Sequence, residues 1–313
     1  FKHKDTQDQA LCWKEVLKDL GNNKPMNRLV CGDVGFGKTE IALRAAFVSV
    51  LGGQQVVVLA PTTILVNQLF HSFVSRLGAF GVYVGALSGF TLHKTSIINR
   101  FIKKEVDVLV STSSVLFQPQ ILKQCGLFIV DEEHRFGVRD KELVLSLNPS
   151  VNFLSLSATP IPRSLQLSLN KVRSLSTIQT PPIERKPIIS FVHYFDISVI
   201  CGAILKEVGR GGQVFIVDNS VENLKKLVRI LKSKLPAISL GVAYSRLNKK
   251  NLLKTMESFV FGKTQVLLST SIIESGIDIG QANTIIINNS HLFGLSQLYQ
   301  LRGRVGRSPL QAF

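Results

Sequence analysis

The chain has 313 residues, with 37 Lys and Arg against 21 Asp and Glu and a formal net charge of +16. At roughly 100–200 residues per domain this length predicts about two domains, and 45% apolar residues give each a core, which excludes an intrinsically disordered chain. No apolar run approaches the ~18 residues of a spanning helix, which excludes a membrane-embedded one.

The opening residue is Phe1, and Lys2-His3-Lys4-Asp5 leads into no apolar core or cleavage-like site, so the expectation is a piece of a longer protein without a signal peptide. Arg28–Cys31 reads as the first buried strand, followed by Gly32-Asp33-Val34-Gly35-Phe36-Gly37-Lys38-Thr39 and then by the helical Glu40–Val50. That octet satisfies G-x-x-x-x-G-K-S/T in the strand-to-helix context the pattern needs. The glycines let successive backbone N–H groups turn inward as an anion nest, and the helix points its positive end at the same phosphates. Lys38 is expected to meet the β- and γ-phosphates of a nucleotide, and Thr39 to offer a hydroxyl to Mg²⁺.

Val56–Ala60, Val82–Leu87, Val106–Val110, Leu127–Val130 and Phe153–Leu156 continue the rhythm of short apolar strands separated by helix-length segments. Such alternation predicts an α/β fold, a parallel sheet with helices on both faces and ligands at the carboxyl ends of its strands. Asp131-Glu132-Glu133-His134 falls at one of those ends. Asp131 suits Mg²⁺, a hard cation that takes oxygen ligands, and Glu132 is placed to orient or deprotonate an attacking water.

The run Thr180-Pro181-Pro182-Ile183-Glu184-Arg185-Lys186-Pro187 interrupts the pattern, because three prolines forbid helix and favour an extended linker. Ile188–Val192, Gln213–Val217, Ser239–Ala243, Gln265–Leu268 and Thr284–Ile287 then read as strands, with helices near 196–209, 220–234 and 247–260. The predicted domains are therefore 1–180 and 188–313, joined by a linker at 181–187, and any duplication is at the level of the whole domain. Cys12, Cys31, Cys125 and Cys201 lie far apart with no C-x-x-C pair, and are expected to be reduced, buried and cytosolic. The charge excess alone fits either a Lys-rich solvated surface or a polyanionic partner.

Taken together, the phosphate loop, Asp131–His134, Ser157-Ala158-Thr159-Pro160 and Gln300-Leu301-Arg302-Gly303-Arg304-Val305-Gly306-Arg307 resemble the superfamily two helicases and translocases. Within them, Arg28–Glu40, Asp131–Val138, Ser157–Arg163 and Thr270–Ile279 look like the motor of the Mfd family of transcription-repair coupling factors, with the RecG family next; Phe36 and Glu133 favour the former. The resemblance covers nearly the whole chain. It implies two tandem RecA-like domains, each a mostly parallel sheet with helices on both faces. The implied activity is ATP hydrolysis with Mg²⁺ coupled to translocation on double-stranded DNA, in a cytoplasmic repair protein that removes stalled RNA polymerase. RNA polymerase and the UvrA repair protein are implied partners through modules beyond this chain. A RecG-like helicase of branched DNA and a non-catalytic nucleic-acid-binding module are the alternatives.

Carried over by residue, the resemblance implies that Gln9 reads the adenine edge, with Phe1 a candidate for stacking on the base. It implies DNA-backbone contacts at Pro61-Thr62-Thr63, at Ser111-Thr112 and, from the second domain, at Thr270; Thr62 could equally cap the helix that follows. Ser157-Ala158-Thr159 would couple nucleotide state to DNA grip. Gly276 and Asp278, with Glu274, match the motif that senses nucleotide, and Arg304 and Arg307 match the arginine fingers that neutralise the transferred phosphoryl group. Gly89, Ser113 and Tyr244-Ser245 depart from the family pattern, all on the expected DNA side. The chain ends soon after the arginine motif, so the helical hairpin that follows in both families is expected to be missing.

Overall fold

The computed structural model describes residues 5–89, 91–158, 173–181, 186–244, 246–270, 281–306 and 310–313. Two compact units divide the chain, Phe1–Pro182 and Ile183–Phe313. In the first, strands β1 (Asn27–Gly32), β2 (Gln55–Leu59), β3 (Val84–Leu87), β4 (Val108–Ser111), β5 (Cys125–Val130), β6 (Asn152–Ser157) and β7 (Ser174–Ile178) form one sheet in the order β3-β4-β2-β5-β6-β1-β7. Every pairing is parallel. A parallel sheet needs cover on both faces, and period-two alternation supplies it. Val56 and Val58 of β2 join a core under helices α1 (Gln7–Leu20), α2 (Lys38–Leu51) and α3 (Thr63–Leu77), through Val16, Ile41 and Phe73. Val57 and Leu59 point the other way, into a core with Phe101, Ile121 and Val144 from α4 (Lys94–Ile102), α5 (Pro119–Gln124) and α6 (Val138–Leu147).

The second unit has four parallel strands, β8 (Gln213–Val217), β9 (Leu240–Ala243), β10 (Val266–Ser269) and β11 (Ala282–Ile287), in the order β11-β8-β10-β9. Its helices are α7 (Ile197–Gly209), α8 (Val221–Lys234), α9 (Lys249–Val260) and α10 (Leu295–Arg302). Ile204, Leu224, Leu227 and Leu231 from α7 and α8 pack on one face, and Phe259 of α9 meets Phe215 on the other at 4.9 Å between ring centroids.

The two sheets share a frame. Gln55 at the start of β2 donates from Nε2 to the carbonyls of Phe101 and Val106, both at 2.7 Å, across 46 and 51 residues. Gln213 at the start of β8 makes the same pair of bonds, to Phe259 and Thr264, at the same separations and distances. Each buried amide ties a helix end to the strand that follows it, which closes that crossover. Strands β9, β10, β8 and β11 thus repeat β3, β4, β2 and β5. Among the described residues the second unit has no counterpart of β6, β1 or β7.

Two strand expectations change. Ile188–Val192 is not an assigned strand: Ile189 N–H reaches the Ala312 carbonyl at 3.0 Å, but Phe191 and Val192 are exposed. Strand β7 was not expected, because its mixed Ser-Leu-Ser-Thr-Ile pattern suits a sheet edge. Among the described residues no helix is long and apolar enough to cross a membrane.

Cys12, Cys31 and Cys125 are free and buried, whereas Cys201 is only half-buried, which corrects the expectation for the fourth. Burial pushes the Cys12 and Cys125 thiols up to about 12 and the Cys31 thiol up to about 11. A thiol reagent at mildly alkaline pH is therefore expected to modify Cys201 quickly and the other three only after unfolding; two fast equivalents would contradict this burial.

Buried Glu207 at the end of α7 accepts from Thr284 Oγ1 and from Arg210 Nε at 3.1 Å, joining α7 to β11. A Cβ on Gly212 would stand 1.8 Å from Glu207 Oε1. Gly212→Ala must displace that carboxylate and break its bonds, so it is expected to cost the second unit about 2–4 kcal/mol. The one tryptophan, Trp13 in α1, reports only the first unit. The circular-dichroism midpoint in urea should fall while the fluorescence midpoint stays; two unmoved midpoints would show slack at Glu207.

Candidate functional site

All strands of the first sheet point their carboxyl ends to one edge, so strand order dictates which candidates become neighbours. Ser88-Gly89, Thr112 and Pro61-Thr62-Thr63 follow β3, β4 and β2, which are adjacent. Asp131-Glu132, Ala158 and the phosphate loop follow β5, β6 and β1, the next three. The edge is thus divided into a hydroxyl-bearing half and a phosphate and carboxylate half.

The phosphate loop leaves β1 through Gly35 at φ 81° and Gly37 at φ 86°, backbone that an L side chain adopts only with strain. Gly37 is the N-cap of α2, with Lys38 and half-buried Thr39 opening the helix. Asp33 Oδ1 accepts from Val34 N–H at 2.7 Å, and Lys38 Nζ donates to the carbonyls of Gly32 at 2.7 Å and Asp33 at 2.9 Å, folding the ammonium over the loop. Gln9 Nε2 donates to Phe36 O at 2.9 Å, while its Oε1 accepts from Thr6 N–H at 2.9 Å in the capping box that starts α1. Gln9 is therefore held against the loop itself, with the second Nε2 hydrogen as its remaining donor. A Cβ on Gly37 would stand 2.5 Å from that Nε2.

Asp131 N–H extends the β2–β5 ladder by donating to Leu59 O at 2.9 Å, and Asp131 Oδ1 accepts from Glu132 N–H at 3.0 Å. The chain then turns sharply. Glu132 has φ 54° and ψ 57°, left-handed backbone that costs a non-glycine residue about 1 kcal/mol or more. The residue is 8% exposed, with His134 Nδ1 at 3.6 Å from Oε2. Glu133 accepts from Ser155 Oγ at 3.1 Å and pairs with Arg173 Nη1, binding the turn to β6 and to the entry of β7. Sequence reasoning missed this hub because nothing local marks partners 22 and 40 residues away.

On the other half of the edge, Thr62 Oγ1 accepts from Leu65 N–H at 3.3 Å and caps α3. Thr63 Oγ1 lies 3.9 Å from where a Gly89 Cβ would be, which puts that departure against a predicted DNA contact. Thr112 N–H meets Leu87 O at 3.1 Å, and its hydroxyl is 3.0 Å from Ser114 Oγ. In the second unit Thr270 N–H donates to Ala243 O at 3.3 Å, beside Tyr244, and Thr270 is 8% exposed. Ser269 Oγ donates to Thr270 O at 2.8 Å, as Ser111 Oγ does to Thr112 O at the same distance. Arg304 follows α10 and is 1% exposed. Phe1, Thr159, Ser245, Glu274, Gly276, Asp278 and Arg307 lie outside the described residues.

The shared frame shows what the second unit lacks. Asn288 N–H donates to Val217 O at 2.8 Å, as Asp131 does to Leu59, and Asn289 takes φ 52°, as Glu132 takes φ 54°. A short 3₁₀ turn and a helix capped by glycine follow in both places. Asn288 and Asn289 turn their amides to Asp218 Oδ2 at 2.6 and 3.3 Å. The Asp131-Glu132 carboxylate pair thus has asparagines in its place at the second corner.

A sequence profile of DEAD/DEAH box helicases matches residues 6–167, just over half of the chain, and one of the helicase conserved C-terminal domain matches residues 196–309. The chain belongs to the DEAD/DEAH box helicase family. Its two units are tandem RecA-like helicase domains, and its nucleotide is ATP. It is 47% identical over 317 aligned residues to the transcription-repair-coupling factor of Myxococcus xanthus and 44% identical over 315 to that of Escherichia coli K12, covering 100% of this helicase chain each time. It spans 26% and 27% of their lengths. A solved structure of RecG bound to a three-way DNA junction superposes with TM-score 0.81 at 34% identity, over 98% of this chain and 42% of that one. The Mycobacterium smegmatis helicase Lhr, bound to ssDNA and AMP-PNP, shares the fold, with TM-score 0.71 and 19% identity over 99% of this chain and 45% of that one.

Proposed function

We propose that the chain is the ATP-driven motor of a double-stranded DNA translocase of the transcription-repair coupling kind. The observation that carries this is the divided sheet edge, where nucleotide chemistry and hydroxyl-lined loops adjoin, in a chain 47% identical throughout to such a factor. The working domains are taken as 1–180 and 188–313, with 181–187 as linker. In this reading the loop from Gly32 to Gly37, including Asp33, Val34, Gly35 and Phe36, cradles the phosphates with backbone N–H groups, and Lys38 moves from its carbonyls to the β- and γ-phosphates. Gln9 couples the base to the loop, and Gly276 and Asp278 sense the nucleotide from the second domain.

The oxygen donors Thr39 and Asp131, on one sheet edge, fit Mg²⁺ and would hold it, so that it offsets charge on the phosphates when bound. Glu132 takes the proton of the attacking water, and Arg304 and Arg307 neutralise the transferred phosphoryl group. Pro61, Thr62, Thr63, Thr112 and Thr270 hold the DNA backbone without reading bases, as a motor that moves over any sequence requires. For the whole protein the output is removal of a stalled RNA polymerase in the cytoplasm, with UvrA engaged by regions other than these two domains.

The test is steady-state ATP hydrolysis with and without linear duplex DNA, at low and moderate salt. Duplex should stimulate turnover, and salt should weaken that stimulation because phosphate contacts release counterions. Stimulation by a three-way junction but not by linear duplex would favour the RecG-like reading that the TM-score of 0.81 keeps in view. ATP binding without hydrolysis would leave a non-catalytic binding module.

A further inference from the structure

The first turn of α1 holds two segments at once. Gln9 is bonded to the phosphate loop at Phe36 O. Its neighbour Asp8 accepts three hydrogen bonds at Oδ2, from the N–H groups of Gln179 and Thr180 and from Thr180 Oγ1, each at 2.9 Å. These two residues leave β7 at the end of the first domain, and Pro181-Pro182 follows. Three donors on one exposed carboxylate oxygen form a charge-assisted clamp on a stretch with no sheet or helix bonds of its own. They hold the Asp8 carboxyl below its usual range, so it stays ionised and accepting at neutral pH.

The turn is also anchored further along its helix. Arg28 of β1 donates to Asp19 Oδ2 at 2.7 Å, to Glu15 Oε2 at 2.9 Å and to Ser176 Oγ of β7 at 2.6 Å. Helix α1, β1 and β7 are thereby one body, and a shift of the phosphate loop against Gln9 is passed to Asp8 through a single helical turn. Proline fixes φ, so at Pro181 the backbone leaving Thr180 starts on a restricted course.

We propose that Asp8 is a positioning residue that ties the start of the interdomain connection to the helix turn holding the phosphate loop, so that nucleotide in the loop and the exit direction of the connection are set together. This rests on the loop being the ATP site. It gives the chain a route from nucleotide to domain movement that lies wholly within the first domain.

Hydrogen exchange at the Gln179 and Thr180 amides reads the clamp directly. In the unsubstituted chain, ADP should change their exchange about five-fold or more. In Asp8→Ala their exchange should be about ten-fold faster and insensitive to ADP, with ADP affinity and melting temperature nearly unchanged. DNA stimulation of ATP hydrolysis should fall about five-fold while the DNA-free rate holds, and Asp8→Asn, which keeps an acceptor oxygen, should recover part of it. The inference is overturned if ADP binds but leaves these amides unchanged in the unsubstituted chain. It is equally overturned if Asp8→Ala lowers melting temperature and both rates together, as a merely structural contact would. Failure of ADP to bind at all would instead remove the ATP-site reading beneath it, and the inference with it.

Discussion

Glu132→Gln should lower ATP turnover by about 100-fold or more while leaving nucleotide affinity within a few-fold. The amide matches the carboxylate in volume and keeps an acceptor oxygen, but it cannot take a proton from water. Because Glu132 is 8% exposed and its N–H is fixed by Asp131 Oδ1 at 3.0 Å, the substituted side chain should occupy the same place. The left-handed backbone is common to both residues, so stability should hardly change. Single-turnover hydrolysis beside binding of fluorescent ADP separates the two quantities. An unchanged rate would move the base elsewhere. Glu133 is a poor substitute, because its carboxylate already joins Ser155 and Arg173.

Arg307→Ala and Arg304→Ala should both reduce turnover by about 10³-fold if each guanidinium acts on the transferred phosphoryl group. They should differ in stability. Arg304 is 1% exposed, and a buried guanidinium is stable only because its surroundings satisfy it. Truncating it strands those partners, at about 3 kcal/mol. Arg307 lies outside the described residues, and its expectation rests on the sequence motif alone. Urea unfolding followed by circular dichroism, with Trp13 as the reporter of the first domain, gives the comparison. A normal rate in Arg304→Ala refolded under stabilising conditions would assign that residue to the architecture of the second domain and leave Arg307 as the finger.

Much of the sheet was legible because its strands are short apolar runs buried on both faces, such as Val56–Ala60 against the observed Gln55–Leu59. The same logic misled at Ile188–Val192, since apolar composition says nothing about whether a neighbouring strand is there to bury it. It missed Ser174–Ile178, where an edge position relaxes the pattern. The phosphate loop was readable because glycine and lysine spacing encodes a local shape. What the loop is tied to was not. Gln9 with Phe36, Glu133 with Arg173 and Asp8 with Thr180 each join residues far apart in the chain, and side-chain hydrogen bonds of that kind leave no periodic trace.

The corner after β5 and its repeat after β11 have the same backbone and different occupants. Asparagine is among the residues that accept left-handed backbone most readily, and Asn289 sits there at small cost, whereas Glu132 sits there under strain. Backbone cost alone favours Asn or Gly at both corners, and a carboxylate at the first is what the proposed role of Glu132 in hydrolysis would require. If the proposed role holds, a descendant of this helicase that lost hydrolysis is expected to drift early at Glu132, toward the asparagine that sits on the same backbone at Asn289. The identity of that one corner residue then serves as a fossil indicator, separating working engines from relatives that keep only the chassis.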